Sequence, residues 1–130
     1  MMLGTSTEKN MKLPRNEVAQ VSDKKITGYL LSEAHPVGKG KARYFRALGY
    51  SENNIVQLKD ALVTMANTSK VTAVINSPYG TKYVAAGDLV TPSGIRARIC
   101  TVWIVETGEN IPRFVTAYPT HKEDTGVESD

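Results

Sequence analysis

The chain is 130 residues long, 41% hydrophobic and 22% charged, an ordinary composition for one soluble globular domain. A single cysteine, Cys100, excludes an intrachain disulfide and any multi-cysteine zinc site, and two histidines cannot build a His-rich metal centre. The net charge of +3 leans toward anionic partners without deciding among them.

Residues 1–12 are polar and aperiodic and read as a flexible leader before a single globular domain over 13–119. Ser22 is a fitting N-cap, and Ile26, Tyr29 and Leu30 at helical spacing predict a short helix over 22–32. The run from Glu33 to Gly40, with a proline and two glycines, interrupts it as a loop. A second helix is expected over 39–48, buried through Ala42, Phe45 and Leu48 and stopped by Gly49. The polar residues 51–54 cap a third, to about Asn67, whose apolar face is Ile55, Leu58, Leu62 and Met65.

After Lys70 the hydrophobic period changes from about 3.6 to 2. Strands are expected over 71–76, 82–90, 95–106 and 112–118, rich in β-branched and aromatic residues. The tetrads at 77–80, 91–94 and 107–110 are turn-forming, and such short connections join only antiparallel neighbours. The fold class is therefore α+β: three N-terminal helices on one face of a four-stranded antiparallel meander. Residues 120–130 form an acidic, flexible tail. The segment 121–130 holds four acidic residues and one lysine, so residues 1–120 carry +6.

No phosphate-binding glycine loop, dinucleotide fingerprint, HExxH or nucleophile elbow is present, and no cofactor or metal is expected. The apolar runs are far too short to span a bilayer, and the N-terminus has no signal-peptide pattern, so a cytoplasmic location is expected. Two clusters carry chemistry. His35, Lys39, Lys41, Arg43 and Arg46 fall within twelve positions, a set able to neutralise phosphate beside a group titrating near neutrality. The competing reading makes these basic residues the solvated face of an amphipathic helix. On the third strand Arg96 and Arg98 share one sheet face, where each guanidinium offers a bidentate fork to phosphate, or stands as plain surface. Thr101 and Trp103 fall on the opposite face unless a bulge intervenes, and Phe114, Thr116 and Tyr118 share a face of the fourth strand. Cys100 reads as a packed side chain, and the carboxylates Asp60, Asp88 and Glu106 as scattered, without the pairing a metal-dependent nuclease needs.

The segments HPVGKGKARYFRALG, SPYGTKY, TPSGIRARICTVWIVE and PRFVTAYP, in this order, resemble a small bacterial family of domains of unknown function across about residues 13–119. Such domains stand alone or close larger toxin-like proteins. The order of helices and then a meander is also similar to the barnase, EndoU, colicin-tRNase and RelE group of metal-independent ribonucleases, a likeness of fold only. That likeness implies cleavage of an RNA phosphodiester by the RNA's own 2′-hydroxyl. His35, Lys41, Arg98, Thr116 and Tyr118 would be the catalytic candidates, with Lys39, Arg43, Arg46, Arg96 and Thr101 binding. The alternative is a non-catalytic module that grips RNA or a cognate acidic, immunity-like protein.

Overall fold

A computed structural model describes residues 11–34 and 39–120, Lys39 by its backbone alone. A 3-10 turn, Asn16–Val18, precedes helix α1, Asp23–Lys25, which runs on as a π-helical turn, Ile26–Leu30. Ser22 caps α1 as expected, its hydroxyl accepting from the Lys25 amide at 3.2 Å. The Leu31 amide reaches back to the Ile26 carbonyl at 2.8 Å, the i→i+5 closure of a π-turn. This wide turn sends Ile26, Leu30 and Leu31 into the core together, all fully buried.

Helix α2 spans Lys39–Ala47 and buries Ala42 and Phe45, with Leu48 just beyond its end and Gly49 in the left-handed region at φ 105°. The cap expected at 51–54 forms a 3-10 turn, Glu52–Asn54, in which Ser51 and Asn54 satisfy each other's backbone amides reciprocally. Helix α3, Ile55–Thr68, follows and buries Leu58, Leu62, Met65 and Ala66.

Strands β1 (Lys70–Ser77), β2 (Gly80–Val90), β3 (Arg96–Glu106) and β4 (Arg113–Pro119) form one antiparallel sheet in sequence order. The α+β meander is as the sequence predicts, with strand ends moved by one or two residues. The helices pack on one face, where Ala85, Leu89, Ala97, Ile99, Trp103 and Ala117 meet them. Trp103 and Phe114 cross edge to face at 5.4 Å, closing the core at the centre of β3 and β4.

Other features have no counterpart in the predicted elements. Lys12 bridges Lys70, so pairing begins before residue 13, and Gln20 bridges Arg113 alongside β4. Between Val102 and Trp103 the register with β4 shifts by one residue, a β-bulge at Val115. Phe114, expected to share a face with Thr116 and Tyr118, therefore turns inward opposite Trp103, while Thr116 and Tyr118 lie opposite Val102 and Cys100.

Candidate functional site

Cross-strand pairing lays out the sheet face turned away from the helices. Lys70, Ala86, Cys100 and Tyr118 form one row across the four strands. Asp88 lies directly opposite Arg98 in the next row, and Val90 opposite Arg96 in the row after it. The register that creates this arrangement is fixed at the β2–β3 turn. There the Thr91 hydroxyl donates to the Ile95 carbonyl at 2.7 Å and the Thr91 amide to the same oxygen at 3.2 Å. The connection thus has five residues rather than a tetrad, which places Asp88 between two arginines.

The arginines converge on that carboxylate. Arg98 Nη1 lies 3.3 Å from Asp88 Oδ1 and Arg96 Nη1 3.7 Å from Oδ2, with all three side chains substantially exposed. Beside Arg98, burial pushes the Cys100 thiol up, against the pull of a Tyr118 hydrogen bond and the Arg98 charge. Burial also raises the Tyr118 phenol, and the Cys100 contact raises it further, so Tyr118 stays a neutral hydroxyl at neutral pH. The Thr116 hydroxyl is 2.9 Å from the Tyr29 hydroxyl, which ties the β4 edge to the π-turn. A groove of about 510 Å³ opens next to this face between the end of α3 and β2, lined by Ser69, Lys70, Thr72, Asp88 and Arg98. Gly87 leaves room there for the Ser69 hydroxyl, which a Cβ at that position would force to turn away.

The sequence candidates therefore separate. Arg96, Arg98 and Tyr118 share one open face, with Thr116 at its β4 edge. Thr101 does not join them: it is fully buried on the opposite face, its hydroxyl accepting from Trp103 Nε1 at 2.8 Å and donating to the Ala85 carbonyl at 3.4 Å. Side-chain alternation along β3 forbids Arg98 and Thr101 a common site, and no bulge lies between them. Arg46, expected among the binding cations, is a structural clamp. Its guanidinium forks onto Glu52, donates to the Leu31 carbonyl at 2.8 Å, and brings Nε to 3.2 Å from Glu33, outside hydrogen-bonding alignment. These partners raise the Arg46 pKa, the Glu52 hydrogen bond most of all, and the Arg46 hydrogen bond lowers that of Glu52.

Lys41 is half-buried and Arg43 exposed on α2, in the helix layer that packs on the opposite face of the sheet from Arg98. His35 and the side chain of Lys39 lie outside the described residues. Asp88, which reads from the sequence as one of three scattered carboxylates, is the residue that the structure brings to both arginines. Its signal was a hairpin register that needed the length of the 91–95 connection to be known. Among the described residues no cluster of three histidine, cysteine or carboxylate side chains could hold a metal ion, and no helix is long and apolar enough to cross a membrane.

A chain in the structure of a contact-dependent growth inhibition toxin–immunity protein complex from Klebsiella pneumoniae 342 is similar to this fold, with a TM-score of 0.64. It is 18% identical in sequence, and the likeness covers 81% of this chain and 96% of that one. No curated protein matches the chain. The family model of a domain of unknown function, DUF6883, matches residues 12–121, which spans every described strand and helix. The chain belongs to that family.

Proposed function

We propose that this domain is a toxin-like, metal-independent ribonuclease whose substrate phosphate lies on the outer face of the sheet. The observation that carries the reading is the placement of Arg98 and Tyr118 in adjacent rows of that face. A guanidinium fork and a protonated phenol are complementary to the charged oxygens of a phosphodiester. In this reaction the 2′-oxygen attacks phosphorus, its bond forms as the bond to the 5′-oxygen breaks, and two protons move. His35 takes the first proton while water supplies the second, or the reverse. Arg98 neutralises the charge that grows on the phosphoryl oxygens and Tyr118, with Thr116 beside it, orients them, while Lys41, carried by α2 on the helix side of the sheet, attracts the RNA strand from a distance. Lys39, Arg43 and Arg96 add attraction for the remainder of the strand. The RNA of the cytoplasm is the substrate such an enzyme would meet.

The test is incubation of wild type, His35→Ala and Arg98→Ala with total cellular RNA in EDTA. Wild type is expected to cleave, and each variant to lose at least about a hundred-fold, the typical contribution of an acid–base group or charge stabiliser. Intact RNA after prolonged exposure to the wild type refutes the reading. A second reading, a module that binds a cognate acidic protein, is favoured by one observation: the similar chain comes from a complex of a toxin with an immunity protein. Growth arrest on expression, relieved by a small acidic protein encoded beside this one, supports toxin and partner together.

A further inference from the structure

The triad Arg96–Asp88–Arg98 puts a fixed carboxylate where the proposed function puts a phosphate. Both arginines bring one nitrogen to it, at 3.3 and 3.7 Å, and both side chains are more than half exposed. Exposed pairs of this kind contribute little to folding, from nothing to about 1 kcal/mol each. The carboxylate is not needed to fix the hairpin, because the Thr91–Ile95 clamp already sets its register. Nor does a carboxylate elsewhere on these strands share its position: between Asp60 and Asp88, and again between Asp88 and Glu106, the sequence has no acidic residue. The single negative charge on this stretch stands between its two adjacent arginines.

We propose that Asp88 is an internal competitor for the anion, a side chain that occupies the arginine forks until a phosphate displaces it and so sets the affinity of the face for RNA. This rests on the ribonuclease reading of the same face and adds to it a residue that limits binding. In the free protein Asp88 occupies one nitrogen of each of Arg96 and Arg98. When the polyanion arrives, its oxygens exchange for the carboxylate, and the negative charge left alongside weakens the complex. A unit charge about 7 Å from a phosphate in water changes binding by a factor of roughly three without screening, and by less as salt is added.

The experiment compares Asp88→Asn with wild type and Arg98→Ala in two binding titrations, one with a single-stranded RNA oligonucleotide and one with inorganic polyphosphate. Thermal melting of each variant checks that it is folded. Asp88→Asn keeps the side-chain shape and removes the charge. At low salt it is expected to bind both polyanions roughly three-fold more tightly, with a salt dependence steeper by up to about 0.7 in the logarithmic slope. Arg98→Ala is expected to bind both more weakly. Unchanged or weakened binding of both polyanions by folded Asp88→Asn overturns the inference, since the carboxylate would then be inert or would position the arginines. If polyphosphate binding tightens while the wild type neither binds nor cleaves RNA, the competitor stands and the ribonuclease reading falls.

Discussion

Replacing Thr101 by valine separates a core residue from a site residue. The substitution keeps the shape and removes a hydroxyl that accepts from Trp103 Nε1 at 2.8 Å, with both residues fully buried. The indole N–H is then stranded in the core, which costs about 1–3 kcal/mol. The donated bond to the Ala85 carbonyl is long at 3.4 Å and adds little. The methyl gained returns up to about 0.8 kcal/mol, so the net loss expected is roughly 1–2 kcal/mol. Urea unfolding followed by tryptophan fluorescence measures it, as a lower midpoint with an unchanged slope. The same substitution in a Trp103→Phe background, read by circular dichroism, should cost close to nothing, because the donor is already gone. An equal loss in both backgrounds refutes the hydrogen-bond argument. Polyanion binding by Thr101→Val, at temperatures where it is folded, should match the wild type. A selective loss of binding would return Thr101 to the site.

Arg46→Met should melt at lower temperature, because Leu31, Glu33 and Glu52 lose their common partner, yet bind RNA no worse than the removal of one surface charge requires. A collapse of binding by the folded variant would contradict the clamp. The Glu52 pKa is lowered by folding, so its contribution to stability is present above the carboxylate's unfolded pKa and fades as pH falls through the folded one. Melting temperature against pH should therefore drop less steeply in acid for Glu52→Gln than for wild type, and parallel curves would count against the Arg46–Glu52 link. Gly80→Ala should destabilise more than Gly108→Ala in thermal melts. Both sit at positive φ, but a Cβ on Gly80 would stand within 2.4 Å of the Val105 carbonyl oxygen, whereas Gly108 faces open space. The reverse order would refute that packing.

Periodicity carried most of the fold. The stripes Ala42–Phe45–Leu48 and Leu58–Leu62–Met65 and the period-two runs after Lys70 are local signals, and tertiary packing reinforced each of them. What stayed hidden depended on contacts between segments distant in sequence. The π-turn at 26–30 arises because three apolar side chains must enter one core, and a helical pattern of that length looks the same either way. The bulge at Val115 reversed the facing of Phe114 relative to Thr116 and Tyr118, which strict alternation along a single strand cannot reveal. The strand face of Arg96 and Arg98 was legible from parity alone, but its separation from Thr101 hung on whether a bulge intervened, which only the pairing of β3 decides.

What could not be read from composition was the purpose of each arginine, since that depends on the partner. Arg46 is two-thirds covered, meets two carboxylates and a backbone carbonyl, and would leave them unpaired if it moved, so its charge serves the fold. Arg113 is likewise tied to Gln20 and Glu109 beside the β4 edge. Arg96 and Arg98 differ in kind. They stand two residues apart on one face, where like charges repel, and they share one exposed carboxylate rather than owning one each. A sheet selected for stability alone gains little from that grouping, because exposed ion pairs are weak and the turn fixes the register without it. The grouping adds little to stability on an otherwise ordinary surface, and this is the feature on which the proposed anionic ligand rests.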